Sequence, residues 1–204
     1  MQVELEMLFL EWGITERLYR LTNFERKRFK FNCVYSKIGR MIEIKILIVY
    51  HSKRGKTRRM AEEIARGARD AGAEVRVKKV EETKNEDLLW ADGIIIGSPT
   101  YFGTVCSEIK RFIDNSIEIR GKLEGKIGAA FSSSGHRSGG KETTLLTILE
   151  AMLIHGMIVC GTPVKAGGHF GVATHVFDEQ AKKECYELGK RVAELARKLE
   201  QVKS

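Results

Sequence analysis

Five short apolar runs, each followed by a helical or turn segment, constrain this 204-residue chain more than any other feature. Ile44–Tyr50 (IKILIVY) is nearly all apolar and β-branched, as a strand covered on both faces must be. His51–Gly55 breaks the run. From Lys56 to Ala71, the residues Met60, Ile64, Ala68 and Ala71 recur at helical spacing, and Gly72 supplies a stop signal. Glu74–Val80 alternates, with Val75, Val77 and Val80 apolar, and predicts a shorter strand nearer an edge. Gly93–Gly97 (GIIIG) predicts a third strand, followed by a helix over Val105–Asn115 with Ile109, Phe112 and Ile113 on its apolar side. Lys126–Phe131 predicts the fourth strand. Thr143–His155 reads as a helix with Leu146, Leu149 and Leu153 inward, and Met157–Cys160 as the fifth strand. Cys185, Leu188, Val192, Leu195 and Leu199 mark a last amphipathic helix.

Such alternation demands an α/β fold: a parallel sheet with helices on both faces, joined by right-handed crossovers. In such sheets ligands sit outside the carboxyl ends of the strands, where the strand order reverses. Three loops at that end, residues 51–57, 98–104 and 132–140, are rich in Gly, Ser and Thr.

The first loop, Ser52-Lys53-Arg54-Gly55-Lys56-Thr57, leaves a buried strand and opens a helix. Its backbone N–H groups, with the helix N-terminus behind them, predict a phosphate nest. Ser52 and Thr57 add hydroxyl donors, and Gly55 permits a tight turn. Neither a Walker A sequence nor GxGxxG is present. The second loop, Gly97-Ser98-Pro99-Thr100-Tyr101-Phe102-Gly103-Thr104, places two aromatics beside glycine. They either hold a flat ring or cap the core. The third, Ser132-Ser133-Ser134-Gly135-His136-Arg137-Ser138-Gly139-Gly140, offers many donors and a histidine that titrates near neutrality in its unperturbed state. His155 ends a helix, where the dipole favours such a residue whether or not it serves a site.

Hydrolytic and metal-assisted chemistry find no support. There is no GxSxG, no HExxH, and carboxylates are nearly absent from the three loops, so Mg²⁺ would lack ligands. A phosphate nest and a flat-ring platform with little acid–base machinery suit a cofactor that carries its own chemistry.

The formal charge of +8 invites a nucleic-acid reading. Its densest clusters are Arg26–Lys30 and Lys53–Arg59. Neither comes with a zinc-finger, RNP or basic-zipper pattern, so nucleic acid is not an expected partner. The four cysteines, at 33, 106, 160 and 185, form no CxxC and predict reduced thiols in a cytoplasmic protein, with neither a disulfide framework nor a metal site. No apolar run reaches the ~20 residues that span a bilayer. Residues 1–40 stand apart from the alternating scheme. They are either an extension that packs on the domain or a second subunit, or an over-long gene start ahead of Met41, with the domain covering 41–204.

The run YHSKRGKTRRMA resembles the flavin-phosphate loop of the flavodoxin-like fold. GSPTYFGTVCSEIKRFID, FSSSGHRSGG and LIHGMIVCG are similar to successive segments of the multimeric flavodoxin-like NAD(P)H:quinone oxidoreductases, the tryptophan-repressor-binding-protein group. The resemblance covers about residues 43–200. It implies a three-layer sandwich around a five-stranded parallel sheet of order 2-1-3-4-5, binding FMN non-covalently. Ser52, Arg54, Gly55, Lys56 and Thr57 would surround the 5′-phosphate. Pro99, Thr100, Tyr101, Phe102 and Gly103 would flank the isoalloxazine, as would Ser133, Ser134, Gly135 and His136. His136 and His155 are the implied catalytic candidates, the latter from or toward a neighbouring subunit. Gly167–Gly171 resembles a late loop that closes over the flavin. The implied activity moves two electrons from NADH or NADPH to a quinone or similar small acceptor, in a homodimer or homotetramer. The stretch between the second strand and GIIIG and the segment after residue 160 are shorter than in the quinone reductases. An electron carrier closer to flavodoxin is the alternative, though the net basic charge argues against it.

Overall fold

The computed structural model describes residues 43–203. The expected break near Met41 lies outside them. Within them the alternation folds as a three-layer sandwich. The elements run β1 (Ile44–Tyr50), α1 (Lys56–Asp70), β2 (Ala73–Lys79), α2 (Asn85–Trp90), β3 (Gly93–Tyr101), β4 (Thr104–Val105), α3 (Ser107–Asn115), β5 (Ile127–Ser133), α4 (Lys141–Ile154), β6 (Ile158–Val159), β7 (Val172–Thr174) and α5 (Glu179–Lys203). The sheet order is β2-β1-β3-β5-β6, with β4 on β3 and β7 on β5. All pairings are parallel except β3–β4.

Two-sided burial explains the apolar runs. Along β1, Ile44, Ile46 and Ile48 face a core closed by α1 and α5. Leu47 and Val49 face a second core, with Leu88, Ile109, Ile148 and Met152 from α2, α3 and α4. The strand β2, at the edge, keeps the alternation that its half-exposed position allows. Crossing from β2 over to β3 on the far side of β1 reverses the strand order between β1 and β3, which puts the crevice at their carboxyl ends.

Two expectations change in detail. The fifth strand is divided. β6 pairs with Ile127 and Gly128, and β7 with Phe131, Ser132 and Ser133, so the two share one position at the edge of the sheet. The order 2-1-3-4-5 stands when they count as one strand. The chain between them is held by close glycine contacts: a Cβ at Gly161 would lie 1.8 Å from the His169 carbonyl oxygen. The inward face of α4 is also rotated from the expected one. Leu145, Ile148, Leu149 and Met152 are buried, whereas Leu146 and Leu153 are exposed. Apolar residues ring this helix, so their spacing alone does not fix its phase.

On the other face, α1 and α5 meet at backbone contact. A Cβ at Gly189 would fall 1.9 Å from the Ile64 carbonyl oxygen, and one at Gly67 would fall 2.0 Å from that of Tyr186. The helix backbones have no room for a methyl group. Gly189→Ala is therefore expected to lower stability by ~1–3 kcal/mol in urea unfolding, as overpacking does. The same change at Gly135, where a Cβ meets nothing within 4 Å, should leave stability unaltered.

Candidate functional site

The three loops gather at the carboxyl ends of β1, β3 and β5. The first turns on Gly55, at φ 81°, and then enters α1. The Ser52 hydroxyl accepts a hydrogen bond from the Arg58 N–H at 3.2 Å, and the Gly55 carbonyl accepts one from Arg59 at 3.0 Å. The first turn of α1 contains no acidic side chain. Its leading N–H groups lack partners within the helix and, with the positive end of the dipole behind them, suit an anion. Lys56 reaches across the crevice. Its ammonium donates to the Ser134 carbonyl at 2.8 Å and to the His175 carbonyl. Burial, together with the nearby charges of Arg59 and Arg54, pushes the Lys56 ammonium below its ordinary pKa. A bound anion would relieve that repulsion. Thr57 is buried and shares a 3.0 Å hydrogen bond with the Ser133 hydroxyl.

The second loop is a tight hairpin. Thr100 pairs with Val105 and Tyr101 with Thr104, leaving Phe102 and Gly103 as a two-residue turn. Their φ angles of 50° and 81° are both left-handed, as a type I′ turn requires. The turn projects Phe102 fully into solvent, 109% exposed, and leaves Tyr101 at 41%. The two aromatics do not cap the core. Behind the turn, Thr143 donates to the Gly103 carbonyl. A Cβ at Gly140 would lie 2.8 Å from the Gly103 Cα, so the hairpin rests directly on the start of α4. Thr100 shares hydrogen bonds with Ser132 at 3.0 Å and Thr144 at 2.9 Å.

In the third loop Ser132, Ser133 and Ser134 are buried and Gly135–Ser138 exposed. The Ser134 N–H donates to the Thr174 carbonyl at 3.0 Å, which ties the loop to β7. The Ser134 hydroxyl donates to the His136 carbonyl at 2.6 Å, and the His136 Nδ1 accepts from the Ser138 N–H at 3.4 Å.

The structure thus brings together Ser52, Arg54, Gly55, Lys56 and Thr57 with Pro99–Gly103 and Ser133–His136. It does not bring His155 to them within one chain. The crossover through α4 carries that residue to the opposite end of the sheet, where its Nε2 bonds the Ser116 hydroxyl at 2.8 Å. Its Nδ1 is buried with no hydrogen-bond partner among the described residues, and burial lowers its pKa. Sequence reasoning missed Thr143, Thr144 and His175, which brace the loops. The adjacent threonines just after Gly139-Gly140 were the available signal: hydroxyls at a helix start bond to nearby backbone.

A cationic nest with no acidic side chain of its own, an exposed aromatic hairpin and an adjacent row of hydroxyls fit a flavin bearing a phosphate. The Flavodoxin domain family matches residues 47–152. The chain is 42% identical to a flavodoxin of Aquifex aeolicus, over 74% of this chain and 85% of that one. It is 41% identical to an NAD(P)H dehydrogenase (quinone) of Archaeoglobus fulgidus, over 76% and 98%. Among solved structures, a flavodoxin from the domain Archaea matches with TM-score 0.64 and 31% identity over 76% of this chain and 99% of that one. A WrbA-like flavodoxin protein from Agrobacterium tumefaciens matches with TM-score 0.64 and 28% identity over the same shares.

Phe102 holds a left-handed φ that an L-residue other than Asn, Asp or Gly adopts at a cost. Phe102→Asn is expected to stabilise the protein by ~0.5–1 kcal/mol in thermal or urea unfolding, because Asn-Gly favours this turn. The same variant should bind flavin more weakly, read by fluorescence quenching.

Proposed function

The chain belongs to the flavodoxin-like NAD(P)H:quinone oxidoreductase family, and from that premise we propose that it passes electrons from NAD(P)H through bound FMN to a quinone or similar small acceptor. One observation carries the reading most directly. A left-handed turn presents Phe102 and Tyr101 beside a carboxylate-free cationic nest, so a planar ring and a phosphate can be held by the same crevice.

In this reading Ser52, Arg54, Gly55, Lys56 and Thr57 bind the FMN phosphate by hydroxyl, N–H and cationic contacts. Pro99, Thr100, Tyr101, Phe102 and Gly103 flank the ring system, as do Ser133, Ser134, Gly135 and His136. The bound flavin supplies the two-electron redox chemistry. The chain keeps the crevice open: Phe102 and the Gly135–Ser138 segment are exposed, which supports alternating access for a nicotinamide and a flat acceptor. The exposed His136 side chain is the third loop's catalytic candidate in this reading. His155 has a place in this scheme only through a second copy of the chain.

Residues 41–204 form the domain that performs these roles. The exposed apolar side chains Leu146, Leu153 and Ile154 on α4, with Ile158 on the edge strand, support assembly as a homodimer or homotetramer. Among the described residues Cys106, Cys160 and Cys185 are unpaired, which supports a reducing, cytoplasmic setting.

The Aquifex relative named flavodoxin favours a second reading, a single-electron carrier. Anaerobic titration of FMN-loaded protein separates the two. Rapid, stoichiometric bleaching by NADH or NADPH is the expected outcome. Slow bleaching with an accumulating semiquinone would favour the carrier, and a protein that ignores FMN would remove both. Comparing the two nicotinamides also sets the preference between them. Replacing Gly55, at φ 81°, by Val is expected to weaken FMN binding about tenfold, by depleting the turn that the phosphate needs. An unchanged Kd would place the phosphate elsewhere.

A further inference from the structure

Three side chains from two separate parts of the sequence converge at the carboxyl end of β1, beside the loops but outside the proposed flavin contacts. His51 follows β1, Cys106 immediately precedes α3, and Glu108 lies in the first turn of that helix. A His nitrogen, the Cys106 sulfur and a Glu108 carboxylate oxygen all lie within 4.8 Å of one another. The Nε2 of His51 is 3.9 Å from Glu108. On its other side, the Nδ1 of the same ring lies 2.7 Å from a Glu81 carboxylate oxygen.

We propose that His51, Cys106 and Glu108 form a three-ligand site for a zinc-class divalent cation. The Glu81 contact is the second element of the argument. In a neutral ring, a carboxylate at Nδ1 selects the Nδ1–H tautomer and leaves the Nε2 lone pair, on the Glu108 side, free to bind a cation. That is the carboxylate–histidine arrangement by which proteins orient a metal-ligating imidazole. The donor set of thiolate sulfur, imidazole nitrogen and carboxylate oxygen selects Zn²⁺ or Co²⁺ over the hard cations Mg²⁺ and Ca²⁺. Bond lengths of about 2.0–2.3 Å to a tetrahedral Zn²⁺ need ligand atoms roughly 3.3–3.8 Å apart. The observed cluster reaches this by a side-chain contraction of about 1 Å, and a fourth position stays open to water.

Cys106 is buried, at 1% exposure, and Glu108 is partly exposed, so a cation has an approach from its side. Binding replaces the thiol proton: the S–H bond breaks, an S–metal bond forms, and one proton leaves to solvent for each cation taken up. The bound cation then carries a net charge of zero with its three ligands. The site links the end of β1, the turn after β2 through Glu81, and the start of α3. His51 lies 55 positions before Cys106, and Cys106 two before Glu108, with no CxxC, so no spacing motif reveals them.

Isothermal titration calorimetry of the full chain with Zn²⁺, in two buffers of different ionisation enthalpy, tests the proposal. One equivalent should bind with release of one proton, and Mg²⁺ or Ca²⁺ in excess should not compete. Cys106→Ser, which keeps shape and a hydrogen-bonding group, should weaken binding at least a hundredfold and abolish the proton release. His51→Asn should weaken it similarly while keeping an amide for Glu81. Glu81→Gln, acting through the imidazole, should weaken it ~10–100-fold with the stoichiometry unchanged. His136→Asn, a residue outside the cluster, should leave the Zn²⁺ affinity as it is. Absence of binding, binding that survives Cys106→Ser, or binding lost in His136→Asn would overturn the assignment. None of these readouts depends on flavin, so they stand apart from the test of the redox reading.

Discussion

Parallel pairing of β3 with both β1 and β5 is the constraint on which the rest of the site depends. Gly97 pairs with Tyr50 on one side and Phe131 on the other, in one register. That register sets the exits of three strands level with one another. Gly97 itself has no room for a side chain, since a Cβ there would lie 2.0 Å from the Phe131 ring. The large ring of one strand fills the space left by the missing side chain of the next. Each exit is then forced into a sharp turn, because a crossover must leave the sheet and return over one of its faces. The polar loops are the consequence: backbone that cannot pair with a strand must find hydroxyls, water or a ligand.

Those hydroxyls do more than solvate the turns. Thr57 and Ser133 join the first loop to the third, while Ser132, Thr100 and Thr144 join the third to the second and to α4. All five lie at or near the buried floor of the crevice, and each bond lies between elements distant in sequence. A displacement of one loop must therefore strain the other two. This is the preorganisation that a cofactor site needs, since ordering done in folding is not repeated in binding. The strained turn at Phe102 belongs to the same account. It is fixed below by Thr143 and the close approach of Gly140, and what it gains is an aromatic surface in solvent, where stability alone would place Asn.

The fold was legible where burial is two-sided. IKILIVY and GIIIG can hardly be anything but central strands, and the loops after them could be named residue by residue. Legibility failed where pattern is degenerate or contact is distant. In α4, LLTILEAMLI is apolar on nearly every side, so the helix could be foreseen but its buried face could not. β7 is three residues long and gains its identity only from pairing with β5. In the sequence Lys56 reads as a phosphate ligand. Its reach to the carbonyls of Ser134 and His175 depends on two other loops and left no local trace.

The charge of the chain takes on a local meaning in this setting. Arg54, Lys56 and Arg59 surround the start of a helix whose dipole is also positive there, and no acidic side chain occupies its first turn. Such a cluster repels itself, and the charges of Arg59 and Arg54 add to burial in lowering the Lys56 pKa. On the opposite face of β1, His51, Glu81 and Glu108 gather the carboxylates that the nest excludes. The sheet separates them: alternate residues of a strand point to opposite faces, and His51 lies in phase with Leu47 and Val49. One strand end thus serves two environments of opposite sign, a cationic turn on the α1 side and a carboxylate–imidazole–thiol cluster on the α3 side. Moving the strand by one residue would exchange the two, so the register that seats the hydrophobic core also decides which charges meet.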